Sequence, residues 1–376
     1  MPAGAGARVG ASCPVRVAEQ SVQQEPSKIR LKLSPQAERY ARRDAPRESR
    51  LMAARGALPL PALELATVLF ALIHDPDAEV KSTARESLEG LPESVLAPVL
   101  SGPAHPALLS HLAHAFREKE AWLEPIALNP ATDDTTIAFL AGLPFKRVVD
   151  IVSNNQERMI RAPEIVEALG GNPLTGRAVI DRILSFLGVQ VPGEDEEWDP
   201  AEISEGDAEA ALRAVLGEEL GGFARSLVEE SEGEAGGGDA SNLYALIQKM
   251  TVFQKIKLAR LGNKEARGLL VKDRNKVVAI SAISSPKITT NEVIGIAQSR
   301  NVNDEVLRMV AMNRLWTRAY RVKLALATNP KCPQVMAMKF VNYLQDQDLK
   351  TIMKSKDVPT AVSTHARRTL MKKGKI

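Results

Sequence analysis

Arginine and aromatic residues alternate in the stretch NRLWTRAYRVKLAL, residues 313–326, and such a stretch can bind anions or stack on flat ligands. Trp316 and Tyr320 lie four residues apart, so on one continuous helix they would share a face. Arginine beside aromatic rings is typical of nucleic-acid grooves and of the centres of protein interfaces. The alternative, which we favour for the two rings, is that they are core residues and that the arginines extend past them to solvent. If one contact patch is chosen from the sequence, it is this one, with the residues Arg314, Trp316, Arg318, Tyr320, Arg321 and Lys323.

A second basic cluster lies in GNKEARGLLVKDRNKVVAISAIS, residues 262–284. Gly262 and Asn263 indicate that one helix ends there and that the next is capped. The stretch lacks the GxxxxGK[ST] pattern of a phosphate-binding loop, so it predicts a basic rim rather than a nucleotide site. The predicted rim residues are Lys264, Arg267, Lys272, Arg274 and Lys276.

Histidine and cysteine give little support for metal binding or nucleophilic catalysis. His111, His114 and Glu118 could lie on related faces of one helix, but the HExxH order is absent and no fourth ligand is evident. We therefore expect partly buried histidines and no metal. Cys332 stands just before Pro333 at a predicted helix start, where we expect a poor substitute for a helix cap rather than a reactive thiol.

Motifs of known catalytic chemistry are absent from the sequence. It contains no GxSxG, no Walker motif, no GxGxxG after a strand and no catalytic Cys–His pair. The carboxylates are concentrated in one acidic run, residues 191–240, rather than in a positioned pair. We therefore predict a protein that is not an enzyme, has no cofactor and takes no small-molecule substrate.

Charge is distributed unevenly along the chain. Residues 241–376 carry 26 Lys and Arg against 8 Asp and Glu (net +18), residues 191–240 carry 2 against 16 (net −14), and residues 1–190 have a net charge of −1. A basic half of this kind can bind an acidic protein or the phosphates of a nucleic acid. The neighbouring acidic segment can compete for the same surface, and we expect carboxylates such as those of Glu194–Glu197 and Glu229–Glu234 to inhibit binding in this way.

One sequence pattern recurs along the chain, and each copy predicts a helix that would help to position these residues. DPDAEVKSTARESL, residues 75–88, aligns without a gap with DVPTAVSTHARRTL, residues 357–370. The shared Val-x3-Ala-x3-Leu spacing predicts one buried stripe on a helix. The Asp-x4-Val-x3-Ala spacing returns from Asp273, and a looser copy begins at Asn301. We expect the leading residue to cap the helix, including Asp357 in the last copy.

A second segment alternates with the first and begins with Asn-Pro or Ser-Pro. Its prolines are Pro130, Pro173, Pro286 and Pro330, of which the first two are 43 residues apart and the last two are 44 apart. Asn-Pro ends the preceding helix. A threonine then stands where we expect the next N-cap, at Thr132, Thr175 and Thr289, the last forming a capping box with Glu292.

This alternation resembles HEAT-like and armadillo-type α-helical repeats, in particular the leucine-rich-variant type found in bacteria. The resemblance covers about residues 35–190 and 241–372. It implies an all-α fold, an α-solenoid, and a scaffold or binding function, because such arrays present long surfaces to partners. A few relatives are lyase-associated proteins or DNA glycosylases, but none of their motifs is present here.

These patterns predict an all-α chain of two helical-repeat lobes joined by an acidic, partly disordered linker. The predicted segments are a disordered stretch 1–33, an N-terminal lobe 34–190, a linker 191–242 with one amphipathic helix, a basic C-terminal lobe 243–372 and a tail 373–376. We expect binding of an acidic protein partner, with nucleic-acid binding through the basic lobe as the alternative. Two cysteines and the lack of an apolar run of 18 residues predict a cytoplasmic chain with no membrane span.

Overall fold

The computed structural model describes residues 31–189, 204–228 and 237–375, and every regular element within these ranges is an α-helix. The prediction of an all-α fold is confirmed for these residues. Ala, Leu, Val and Ile form most of the buried core. Residues 1–30 of the predicted disordered stretch lie outside the described residues. None of the helices in the described ranges combines the length and the apolarity that a bilayer crossing requires.

Within each described range, the helices follow one another with short connections. The first twelve are α1 Pro35–Ala41, α2 Arg47–Ala54, α3 Ala62–Leu72, α4 Ala78–Glu89, α5 Glu93–Ser101, α6 Pro106–Ala115, α7 Glu120–Leu128, α8 Asp134–Ala141, α9 Lys146–Ser153, α10 Gln156–Arg161, α11 Pro163–Gly171 and α12 Arg177–Phe186. The next are α13 Glu205–Gly221, α14 Ala224–Val228, α15 Gly237–Lys249, α16 Val252–Leu261, α17 Lys264–Leu270, α18 Lys276–Ile283 and α19 Thr290–Gln298. The last are α20 Asp304–Met312, α21 Arg314–Arg318, α22 Tyr320–Thr328, α23 Gln334–Val341, α24 Asp346–Lys354 and α25 Thr360–Lys372.

The predicted apolar stripe is buried in both aligned segments. In α4 the stripe residues Val80, Ala84 and Leu88 have no exposed surface. The same holds for the three equivalent residues of α25, which are Val362, Ala366 and Leu370. The spacing of the apolar residues therefore identified the core face of each helix correctly.

The leading aspartate of this segment is not the helix cap. The N-cap of α4 is Asp77, two residues after Asp75, and the N-cap of α25 is Pro359, which has no side-chain cap bond. The expectation that Asp357 caps α25 is therefore wrong. Its carboxylate instead pairs with Arg300 at 2.9 Å. In the earlier copy the carboxylate of Asp75 accepts a hydrogen bond from the backbone N–H of Asp77, which forms the turn before the helix.

The asparagine of each Asn-Pro pair holds neighbouring helices together. The Nδ2 groups of Asn129, Asn172 and Asn329 each donate to two backbone carbonyls at the end of a helix about 30 residues earlier, at 2.6 to 2.9 Å. In each case Oδ1 accepts from the backbone N–H two residues further on, at 2.8 to 3.0 Å. The last carbonyls of a helix lack partners within it, so one buried amide satisfies both the helix end and the following turn.

The threonines at 132 and 175 do not cap the next helix, which corrects that expectation. Their hydroxyls donate back to carbonyls of the preceding helix, Thr132 to Ile126 and Thr175 to Leu169, both at 2.6 Å. The N-cap follows one position later, four residues after the asparagine or serine that begins the segment. Thr289 occupies that fourth position, and its capping box with Glu292 is confirmed.

A cation covers the turn after two of the Asn-Pro pairs. The guanidinium of Arg158 donates to the carbonyls of Asn129 and Pro130 at 3.2 and 3.1 Å, and also to that of Thr132. The ammonium of Lys276 occupies the equivalent place on the next turn, where it donates to the carbonyls of Asn172, Pro173 and Thr175 at 3.2, 3.1 and 3.5 Å. Lys276 therefore belongs to the packing between helices and not to the predicted basic rim.

The parts of the chain before and after the acidic run are in direct contact. Helix α11 packs against α16 and α18, and α12 packs against α18. The contact is closest at Gly170, where an added Cβ atom would lie 1.9 Å from Oδ1 of Asn275, the N-cap of α18. The guanidinium of Arg260 donates to the carbonyl of Gly188 at 2.9 Å nearby.

Residues 204–228 of the acidic run form α13 and α14, and α13 packs on α16. The apolar residues that predicted an amphipathic helix are buried at Leu212, Leu216, Leu227 and Val228, whereas Phe223 is exposed. Helix α13 is kinked at Gly217, whose φ of 72° lies in the left-handed region that favours glycine. Residues 204–228 are thus attached to the helices that follow them.

Candidate functional site

The arginine-rich stretch is divided between two helices, which corrects the prediction that its rings share one helix face. Asn313 ends α20 and caps α21, accepting from the backbone N–H groups of Leu315 and Trp316 at 2.9 and 3.2 Å. Helix α21 ends at Arg318, and the extended backbone of Ala319 separates it from α22. Trp316 and Tyr320 therefore have no common face, because the chain changes direction between them.

Both rings of the stretch are partly buried and pack against the core, as the core interpretation predicts. The hydroxyl of Tyr320 donates to a carboxylate oxygen of Asp348 and accepts from the backbone N–H of Gln345 at 3.0 Å. Burial and the hydrogen bond to Asp348 raise the pKa of Tyr320. The phenol therefore links α22 to the start of α24.

Three of the four basic side chains of the stretch line a cleft together with α23. This basic cleft has a volume of about 540 Å³. Its lining residues are Ala311, Met312, Arg314, Thr317, Arg318, Lys323, Met336, Lys339, Phe340 and Tyr343. Four of the ten are cations and none is a carboxylate. Arg321 is exposed but does not line the cleft.

An exposed aromatic ring lies at the basic cleft. Tyr343 is 62% exposed, and the ammonium of Lys323 lies 5.4 Å from the centre of its ring. Arg318, Lys323 and Lys339 form no ion pair with any residue that the structure describes. Unpaired cations around a mixed apolar and aromatic floor attract an anion and offer a flat face beside it.

Sequence reasoning missed Lys339 and Tyr343, which complete the basic cleft. Both come from the Asn-Pro segment that follows the arginine-rich stretch. They lie four residues apart, Lys339 in the last turn of α23 and Tyr343 just after the C-cap of that helix. The i, i+4 spacing of a cation and an aromatic residue was a usable signal. Nothing in the sequence, however, indicated which helix would face Arg318.

The second predicted cluster is divided between exposed and buried side chains. Lys264, Lys272 and Arg274 are exposed, as expected for a rim. Arg267 is only 2% exposed, and its guanidinium holds both carboxylate oxygens of Glu292 at 3.0 and 2.9 Å. It also donates to the carbonyl of Gly262 at 2.8 Å. Arg267 therefore stabilises the packing of α17 on α19 and is not a contact residue, which corrects the prediction.

The exposed cations of this cluster border a second cavity, which we call the basic hollow. Its volume is about 570 Å³ and its lining residues are Lys272, Asp273, Arg274, Asn301, Val302, Asn303, Asp304 and Lys331. Asp273 forms an ion pair with Lys255 at 3.1 Å. Three cations therefore face two carboxylates, of which one is already neutralised.

The remaining candidate side chains serve packing. The expectation of partly buried histidines holds for His111, whose pKa is lowered by burial, but is wrong for His114, which is exposed and lies on the ring of Phe139 with centroids 3.9 Å apart. Cys332 is buried, and burial raises the pKa of its thiol to about 11. A thiol with a raised pKa is a poor nucleophile near neutral pH. The N-cap of α23 is Pro333, so Cys332 occupies the position where Thr132 and Thr175 bond back to the previous helix.

The chain matches no family model, no curated protein and no solved structure. The two cavities and their charges therefore provide the basis for any statement about function.

Proposed function

We propose that this chain is a non-catalytic binding protein whose basic cleft holds an acidic segment of a protein partner. The observation that supports the proposal is the composition of the cleft, which has four cations and no carboxylate among its ten lining residues. A cleft of one charge concentrates a ligand of the opposite charge and selects against ligands of its own charge. The cations of a short peptide or of a basic surface would be repelled from it.

The architecture that we propose around the cleft is an α-solenoid of HEAT-like repeats. The support for it is the recurrence of one detailed arrangement at Asn129, Asn172 and Asn329, where an amide bonds to the end of a helix about 30 residues earlier. Helices that repeat the same contact at a regular spacing build an extended stack with a long exposed face. The basic cleft would lie on that face.

Nucleic-acid binding is the second candidate function, and Tyr343 is the observation that favours it. A ring that is 62% exposed beside an unpaired Lys323 could stack on a base while the neighbouring cations hold phosphates. The acidic-protein proposal is preferred because the cleft offers one exposed ring, whereas a single-stranded nucleic acid is usually held by several successive stacking contacts.

Affinity purification from native cells, with and without nuclease, tests the two candidates. A protein partner that remains after nuclease treatment supports the proposal, and a partner that disappears supports nucleic-acid binding. The double substitution Arg318→Glu and Lys339→Glu should abolish retention of the partner. The matched control is Lys350→Glu with Lys354→Glu, which changes net charge equally on exposed positions of α24. Equal retention by both double variants would refute a role for the cleft.

The proposal includes inhibition by the chain's own acidic run. Glu194–Glu197 and Glu229–Glu234 lie outside the described residues, whereas Leu212 and Leu216 between them pack on α16. Deleting the whole run would therefore open the core, and substitution of its outer carboxylates by the corresponding amides is the cleaner experiment. This variant should bind the partner more tightly, most clearly at low salt. An unchanged affinity and salt dependence would exclude inhibition.

A further inference from the structure

The basic cleft and the basic hollow lie at opposite ends of one pair of helices. Helix α20 begins at Asp304 in the hollow and ends at Met312 in the cleft. Lys331, just before α23, lines the hollow, and Lys339, near the end of α23, lines the cleft. The two helices therefore run in the same direction, and each cavity has lining residues from corresponding ends of both.

The distance between the two cavities follows from the geometry of α20. Eight residues separate Asp304 from Met312, and a rise of about 1.5 Å per residue gives about 12 Å between the two cavities. A single ion, or a compact anionic group that fills the cleft, would not reach the hollow. An extended polypeptide of about four residues, at about 3.3 Å each, would span this distance.

The hollow also attracts negative charge, although less strongly than the cleft. Lys272, Arg274 and Lys331 are exposed and unpaired among the described residues. They face Asp304 and the ion-paired Asp273, so a net positive charge remains there. The cleft, without carboxylates, is the stronger anchor, and the hollow supplies a second, weaker one.

From this placement we infer that the partner segment lies extended along α20 and α23, from the cleft to the hollow, and carries two clusters of carboxylates about four residues apart. One cluster occupies the basic cleft and the other the basic hollow. This inference rests on the proposed function, since it assigns the shape of the ligand that the cleft binds. Two linked anchors raise affinity because the second contact forms at a high effective concentration once the first is made.

Synthetic peptides of equal length and equal net charge test the inference with the full-length protein. One peptide carries two pairs of glutamates with four Gly/Ser residues between them, and the other carries the four glutamates together at one end. At about 3.3 Å per residue the four adjacent glutamates cover only about 10 Å, so they do not span the distance between the two cavities. We expect the two-cluster peptide to bind about tenfold more tightly, as measured by fluorescence anisotropy. The hollow variant, Lys272→Ser with Arg274→Ser, should remove this advantage while leaving the affinity for the single-cluster peptide unchanged.

The results separate failure of the inference from failure of the proposed function. If the cleft variant Arg318→Glu with Lys339→Glu loses both peptides but the hollow variant binds both normally, the cleft function stands and the extended ligand is refuted. If the cleft variant binds both peptides as well as the control Lys350→Glu with Lys354→Glu does, both proposals are refuted. A charge-matched oligo(dT) is tested in the same assay. If the cleft binds it more tightly than it binds the peptides, with a steep salt dependence, the ligand is a nucleic acid and the inference is overturned.

Discussion

The contact between Gly170 and Asn275 gives the sharpest stability prediction, because it joins helices from the two sides of the acidic run. In Gly170→Ala the new methyl group would lie 1.9 Å from Oδ1 of Asn275, well inside the contact distance of any carbon and oxygen. The Asn275 side chain would have to move, and it accepts the capping bonds from Val277 and Val278 at 2.9 and 3.4 Å.

The expected magnitude follows from three contributions. Loss of the N-cap costs about 1 kcal/mol. Overpacking at a tight helix contact costs about 2 kcal/mol. Replacing glycine by alanine within a helix stabilises the helix by about 1 kcal/mol. We therefore expect Gly170→Ala to lower the free energy of unfolding by about 2 kcal/mol, measured by urea denaturation followed by circular dichroism.

The neighbouring glycine provides the control. Nothing lies within 4 Å of a Cβ atom added at Gly171, so Gly171→Ala should be neutral or slightly stabilising. The substitution Asn275→Ser keeps a good capping residue but shortens the side chain, and in that background Gly170→Ala should lose most of its cost. Equal effects of the two glycine substitutions, or an undiminished cost in the Asn275→Ser background, would refute the argument.

Two further predictions concern single buried groups. Asn172→Ala removes the hydrogen bonds that the side-chain amide donates to two backbone carbonyls. It should lower the free energy of unfolding by about 2 to 3 kcal/mol, measured by urea denaturation. Asn291→Ala, at an exposed position, serves as the control, and an equal effect of both substitutions would contradict the role of the amide. Cys332, studied in a Cys13→Ser background, should react with a thiol reagent at pH 8 only after unfolding; modification of the native protein at the rate of the unfolded chain would contradict the burial. The pKa of Cys332 in the folded protein, about 11, lies above its value in the unfolded chain. The contribution of the buried, protonated thiol to the free energy of unfolding is therefore fully present below about pH 8.5 and is lost as the pH rises towards 11.

The sequence predicted the elements better than the places where they begin. The Val-x3-Ala-x3-Leu spacing identified the buried face of α4 and α25, because burial on a helix depends only on which residues are three and four apart. The residues that cap each helix were harder to predict from the sequence. Thr132 and Thr289 look equivalent in sequence, yet one bonds back to the previous helix and the other caps the next, because they stand three and four residues after the start of their turns.

The partners of the candidate site residues could not be predicted from the sequence for the same reason, because they depend on how separate segments pack. Arg267 and Lys272 are both cations in one predicted rim, and the sequence contains no sign that Glu292, 25 residues later, would bury the first of them. Similarly, the basic cleft needs Lys339 beside Arg318, and their proximity depends on how α23 packs after the Asn-Pro turn.

The sequence alone determined the helical class of the chain, the core faces of its repeated segments and the concentration of positive charge after residue 240. These properties follow from periodicity and composition, which act within one helix or over the whole chain. Only the tertiary structure decided which cations are paired and which are exposed, because a charge is neutralised by whatever side chain or carbonyl the fold brings to it. The placement of the basic cleft and the basic hollow at opposite ends of α20 and α23 is a result of the same kind, set by how helices from different segments pack.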